Sequence, residues 1–207
     1  MRTLDECRLY GIIDLGYVEE SETTRVAEEM IQGGVDLIQL RGKGKSIHEL
    51  TAHAARLHEL TRKSATALIV NDHAEITSQI PVEGVHVGQD DNSIELARRK
   101  AGREIVVGKS THSLEQALAA QRDGADYIGF GPIFATPTKP DYLPIGLAEI
   151  SRVHTEVNLP IFCIGGINLD NLQSLIDAGA KRVVMVSALL KAHNIVDYAR
   201  CATDMLA

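Results

Sequence analysis

Gln39, Arg41 and Lys43 alternate along the chain at the end of an apolar run, so in an extended segment all three project to one side. An arginine offers a rigid fork of donors and a lysine a movable point charge, and together they suit a diphosphate better than a single carboxylate. Taken alone, the segment could equally be a solvated loop. Two acidic positions follow other apolar runs: Asn71-Asp72 comes after residues 67–70, and Gly88-Gln89-Asp90-Asp91 after residues 84–87. Carboxylates at the ends of adjacent strands can meet. Mg²⁺ takes one or two carboxylates and completes its shell with water and substrate phosphate oxygens. Asp72 and Asp91 beside Arg41 and Lys43 therefore read as a metal–diphosphate site, with Asp90 competing for the role of Asp91. Considered separately, each acid reads as a helix cap.

Further along, Gly108-Lys109-Ser110-Thr111-His112 follows the apolar run 104–107, with Ser110 as its candidate ligand. His86, inside a strand, and His112, at a helix start, read as structural histidines. Residues 129–140 form a glycine- and proline-punctuated loop that carries Thr136, Thr138 and Lys139. Such a loop suits a lid that brings Lys139 to anionic oxygens and excludes water. Gly165-Gly166 and Val186-Ser187 follow the last two apolar runs. Glycines let backbone N–H groups approach an anion closely, so this pair of loops reads as a second, backbone-built phosphate site.

These positions need a scaffold that gathers strand ends on one face. Strand-like runs at 8–13, 37–40, 67–70, 84–87, 104–107, 127–130, 160–164 and 182–186 alternate with amphipathic stretches such as 24–32, 47–62, 114–122 and 169–178. Asn168 or Asp170 is placed to cap the last of these. Eight βα units in 207 residues predict a single α/β domain spanning 1–207, a (β/α)₈ TIM barrel. A doubly wound open sheet is the alternative. Gly34-Val35-Asp36, Gly124-Ala125-Asp126 and Gly179-Ala180-Lys181 each read as a glycine helix stop leading into a strand. A net charge of −7 argues against a general grip on nucleic acid. Cys7, Cys163 and Cys201 are too far apart in sequence for a zinc motif or a disulfide framework, which suits a reducing cytoplasm. Acidic residues near Met1 and the lack of a long apolar run argue against export and against a membrane partner. A homo-oligomer is compatible with all of this.

The ordered set Gln39-x-Arg41-x-Lys43, Asn71-Asp72, residues 84–89 with Asp91, Gly108-x-Ser110-x-His112, Gly131-Pro132-x-Phe134-x-Thr136-x-Thr138-Lys139, Gly165-Gly166-Ile167 and Val186-Ser187 resembles the thiamine phosphate synthase family through nearly the whole chain. The resemblance implies two small-molecule substrates, 4-amino-2-methyl-5-(diphosphooxymethyl)pyrimidine and a thiazole phosphate, joined with release of pyrophosphate. It implies that Gln39, Leu40, Arg41, Gly42, Lys43, Asn71, Ser110 and Lys139 hold the pyrimidine diphosphate, with Arg41, Lys43, Ser110 and Lys139 serving the chemistry. It implies Mg²⁺ on Asp72 and Asp91, and thiazole phosphate on Thr136, Pro137, Thr138, Gly166, Val186 and Ser187. His73, Ile13 and Gly42 depart from the usual pattern, where Arg, Thr and an acid are common; Asp14 is retained. A thiazole tautomerase of the same fold typically lacks part of the metal and diphosphate set, so Asp91, Ser110, Thr136, Thr138 and Lys139 favour the transferase. A non-catalytic phosphate-binding barrel would have little need of Asp72 and Asp91.

Overall fold

Eight parallel strands pair in sequence order and close on themselves in the computed structural model, which describes residues 3–89, 91–136 and 143–207. They are β1 (Leu9–Asp14), β2 (Leu37–Arg41), β3 (Ala67–Asn71), β4 (Gly84–Val87), β5 (Val106–Thr111), β6 (Tyr127–Phe130), β7 (Ile161–Cys163) and β8 (Val183–Met185). The outer layer holds α1 (Thr23–Gln32), α2 (Ile47–Thr61), α3 (Ile94–Ala101), α4 (Leu114–Arg122), α5 (Ala148–Glu156), α6 (Leu169–Asp177), α7 (Ser187–Leu190) and α8 (Ile195–Met205), with a 3₁₀ turn at Ala74–Ser78 after β3. This is the expected (β/α)₈ barrel and not the open sheet, since β1 pairs with both β2 and β8. Among the described residues, no helix is long and apolar enough to cross a membrane.

The strand that departs furthest from its apolar run is β5. Hydrophobicity stops at Val107, but the ladder continues, pairing Lys109 with Val87, Ser110 with Gly129 and Thr111 with Phe130. Backbone pairing is indifferent to side-chain polarity where a strand reaches a pocket. Ser110 therefore stands within β5 and not in the loop after it.

The Gly-x-Asp signal marks the opposite end of the barrel. Gly34, Gly124 and Gly179 take positive φ values of 88°, 86° and 100° just past α1, α4 and α6, as helix stops. Two residues after Gly34, Asp36 Oδ2 accepts from the backbone N–H groups of Arg8 at 2.7 Å and Leu9 at 3.0 Å. Asp126 does the same for Val107 at 2.6 Å. Each aspartate thus ties the entry of its own strand to that of a neighbour. Asn168, and not Asp170, caps α6: its Oδ1 accepts from the N–H groups of Asp170 and Asn171 at 2.9 and 3.1 Å.

Alternation along the strands sorts side chains into two cores. Leu9, Ile13, Ile38, Leu40, Leu68 and Val85 pack outward under the helices. Tyr10, Ile12, Leu37, Ile69, Tyr127, Phe162 and Val184 fill the inside. Tyr10, Tyr127 and Phe162 meet edge to face, with ring centroids 5.5 to 6.0 Å apart, an arrangement that adds about 0.5–1.5 kcal/mol per pair beyond burial. Gly108 makes room for them, because a Cβ there would lie 2.1 Å from Tyr127 Cζ. Gly108→Ala is expected to cost about 1–3 kcal/mol in urea unfolding through overpacking. A cost below about 0.5 kcal/mol, the level of an indifferent surface change, would mean that the Tyr127 ring can step aside.

Candidate functional site

The inner aromatic layer is the floor of a pocket that opens at the C-terminal ends of the strands. Gln39, Arg41, Lys43, Asn71, Asp72, Asp91, Ser110, Thr136, Gly166, Val186 and Ser187 all line it, which brings together the described members of the expected set other than Leu40 and Gly42. Those two face the other way. Leu40 is buried in the outer core, and a Cβ on Gly42 would lie 2.8 Å from Leu50 Cδ2. Any role they have in ligand binding must run through backbone atoms. Pro137, Thr138 and Lys139, and the alternative acid Asp90, lie outside the described residues.

The two cations on the β2 side are held differently. Arg41 Nη1 donates to Asp14 Oδ2, directly across the β1–β2 register. Asp14 is buried, and its Oδ1 accepts from Gly16 N–H at 2.9 Å. In the sequence Asp14 stands only as the retained acid of the family pattern at the end of the first apolar run, with no site role given to it. Lys43, whose side chain is 55% exposed, reaches Asp72 Oδ2 at 2.6 Å and comes within 3.8 Å of Asp91 Oδ1.

That meeting of Asp72 and Asp91 around one ammonium is the test of whether the residues suit a divalent cation. Asp72 has a positive φ of 64°, uncommon for a residue other than glycine. Its N–H donates to His86 O at 2.9 Å, its Oδ2 accepts from Asn71 Nδ2, and its buried Oδ1 has no hydrogen-bond partner among the described residues. Asp91 Oδ2 accepts from Gly88 N–H at 3.0 Å. An orphaned carboxylate oxygen beside a second carboxylate fits a hard cation. Among the described residues, no cluster of three or more His, Cys, Asp or Glu forms, and two carboxylates are what Mg²⁺ uses when phosphate and water complete its shell.

On the floor, Gln39 Nε2 donates to Tyr10 Oη at 2.6 Å, and Tyr10 Oη lies 3.1 Å from Tyr127 Oη. His86 Nδ1 is 3.1 Å from Tyr127 Oη, and its Nε2 is 2.9 Å from Ser110 Oγ. Burial pushes both phenols above their ordinary range, so they stay protonated. His86 thus lines the pocket as well as tying its floor together. The missed signal was parity: Gly84, His86 and Gly88 share one side of the β4 run, the side that faces in. His112 also lines the pocket, with its ring against Gly131 O and its N–H donating to Gln116 Oε1 at 2.7 Å.

Across from the acids, Gly165 and Gly166 take φ values of 103° and 66°. A Cβ on Gly165 would lie 2.4 Å from Pro132 Cβ, and one on Gly166 2.5 Å from Ala135 O. Glycine is therefore required there by both conformation and space. Hydrogen bonds from Ile133 N to Ile164 O at 2.8 Å and from Phe134 N to Gly165 O at 3.0 Å hold the loops after β6 and β7 together. Ser187 opens α7 beside them.

Known proteins share both sequence and architecture with this chain. Residues 9–189 match the family described as thiamine monophosphate synthase. The thiamine-phosphate synthase of Chloroflexus aurantiacus is 43% identical over 194 residues, covering 93% of this chain and 89% of that protein. The thiamine-phosphate synthase of Halalkalibacterium halodurans is 41% identical over 189 residues, covering 91% and 90%. The solved structure of thiamine phosphate pyrophosphorylase from Pyrococcus furiosus superimposes with a TM-score of 0.89 at 28% identity, covering 98% of this chain and 96% of that one. With the motifs gathered in one pocket and the match running through the whole barrel, the chain belongs to the thiamine monophosphate synthase family.

Proposed function

We propose that this chain joins 4-amino-2-methyl-5-(diphosphooxymethyl)pyrimidine to a thiazole phosphate, forming thiamine phosphate and releasing pyrophosphate. The observation that carries the reading is the pair Asp72 and Asp91, meeting at Lys43 across the pocket from the glycine-built cradle of Gly165, Gly166 and Ser187. Two anion sites on one face, only one of them supplied with carboxylates among the described residues, suit a diphosphate at the first and a monophosphate at the second.

In this reading the carbon–oxygen bond of the pyrimidinylmethyl group breaks, and its electron pair leaves with pyrophosphate. The ring-stabilised cation is then captured by the lone pair of the thiazole nitrogen. No proton has to move. Bound by Asp72 and Asp91, Mg²⁺ would supply Lewis-acid charge to the diphosphate oxygens. Arg41, held by Asp14, presents its remaining donors to those oxygens, and Lys43 adds a mobile charge. Lys139, outside the described residues, is assigned the same task by the motif it shares with the family. The cradle and Ser187 orient the thiazole phosphate so that its nitrogen lies in line with the departing oxygen. The chemistry asks for no protein nucleophile, in keeping with Cys163, a thiol pushed up to about 12 by burial.

Purified protein incubated with both substrates and Mg²⁺ is expected to yield thiamine phosphate and pyrophosphate, with turnover lost on chelation and restored by added Mg²⁺. Bound substrates without product would sink the assignment. The two cations should also separate. Both Arg41→Ala and Lys43→Ala lower turnover. Arg41→Ala also costs about 3 kcal/mol of folding stability, because a buried carboxylate loses its partner, whereas the exposed Lys43 contributes less than about 1 kcal/mol. Equal stability losses in urea unfolding would contradict the pairing. Lys139→Ala should lose turnover far more than thiazole phosphate binding, since its charge matters most as pyrophosphate departs. A parallel loss of both would place Lys139 at the other anion site.

A further inference from the structure

Gln39, Tyr10, Tyr127, His86 and Ser110 come from β2, β1, β6, β4 and β5, yet their polar atoms form one unbroken chain across the barrel floor, with links of 2.6 to 3.1 Å. A phenol has one proton to donate, so a chain of two phenols runs in one sense at a time. Its end decides which. The Gln39 amide nitrogen can only donate, and it faces Tyr10 Oη. Tyr10 then turns its proton on Tyr127, and Tyr127 turns its own on His86 Nδ1. With Nδ1 accepting, the proton of the neutral imidazole sits on Nε2. Nε2–H donates to Ser110 Oγ, and the serine's own proton is left over for the pocket. With Gln39 donating, the reverse sense would have Tyr10 accept from both Gln39 and Tyr127, leaving the Tyr10 proton without an acceptor among the described residues, and it would commit the Ser110 proton to His86. Burial keeps both phenols protonated, so neither link can be lost by ionisation.

We propose that Tyr10, Tyr127 and His86 are positioning residues whose one-way hydrogen-bond chain fixes the Nε2–H tautomer of His86 and so makes Ser110 a hydrogen-bond donor to an acceptor atom of the substrate. The substrate's identity rests on the function proposed above; the tautomer rests only on the chain itself. Three side chains that need not touch the substrate thereby decide what Ser110 can recognise. A ring nitrogen and a phosphate oxygen are both acceptors, and both belong to a pyrimidine diphosphate.

The experiment has two arms. In the full-length protein labelled with ¹⁵N-histidine, and with His86→Asn identifying its signals, His86 is expected to show the Nε2–H tautomer. Tyr127→Phe removes the donor to Nδ1 and shifts the tautomer ratio. Tyr10→Phe, which has no link to His86 except through Tyr127, shifts it as well. An Nδ1–H tautomer in the unaltered protein, or His86 signals indifferent to Tyr10→Phe, overturns the proposal. In the second arm, Tyr127→Phe weakens binding of the pyrimidine diphosphate about ten-fold, the scale of one hydrogen bond to a charged or buried partner, but leaves binding by Ser110→Ala unchanged. An equal loss in both backgrounds makes Tyr127 merely structural and overturns the proposal. Repeating this arm with the aminopyrimidine alcohol and with inorganic pyrophosphate assigns the acceptor, since the Ser110-dependent factor follows whichever fragment carries it. If the unaltered protein binds no pyrimidine diphosphate, the proposed function fails while the ¹⁵N result still decides the tautomer.

Discussion

A closed ladder of parallel strands gives each strand side chain one of two destinations, the helix layer or the barrel interior. Everything in the pocket follows from that constraint. On β2 it sends Gln39 and Arg41 inward and Leu40 outward, and on β4 it turns His86 towards the floor. Because the ladder closes, inward residues of distant strands become neighbours. Tyr10 meets Tyr127 although 117 residues separate them. The interior is narrow, so a tyrosine fits at 127 only because β5 offers a glycine opposite its ring.

The mouth of the pocket answers to electrostatics more than to packing. Arg41 and Lys43 lie close together, and each is matched by acids from neighbouring strand ends, Asp14 for the first and Asp72 with Asp91 for the second. The Arg41 pair is largely withdrawn from water, which fixes the guanidinium; the Lys43 pair is open, which leaves its ammonium adjustable. A rigid fork beside a movable charge suits the diphosphate leaving group of the proposed reaction, which must be held before its bond breaks and stabilised as it leaves. The opposite wall uses backbone conformation where this one uses charge. Its two glycines occupy left-handed conformations against the loop after β6, and that packing joins the cradle to Thr136 on the same rim.

Most of the site was legible because its residues sit at strand ends, where apolar runs stop and the chemistry-bearing side chains begin. Gln39, Arg41, Lys43, Asn71, Asp72, Asp91, Ser110, Thr136, Gly166, Val186 and Ser187 all carry that signal, and all line one pocket. Asp14 and His86 were harder to see. Asp14 ends a run whose function showed only through its partner 27 residues away. His86 lies within an apolar stretch where a lone histidine usually marks a satisfied core position. Leu40 and Gly42 went the other way, since a motif written as a continuous string does not distinguish the faces of its strand.

Local chemistry in the sequence determined the number of βα units, the glycine stops, and the residue types available for two anion sites. Those depend on neighbours within a few positions. Only the tertiary structure decided that β5 runs on to Thr111, that Asp14 grips Arg41, that Asp36 and Asp126 tie strand entries, and that five side chains join into one hydrogen-bond chain beneath the pocket. The reason is geometric. Each of these depends on atoms brought to hydrogen-bonding distance from different strands, and such distances exist only once the barrel has closed.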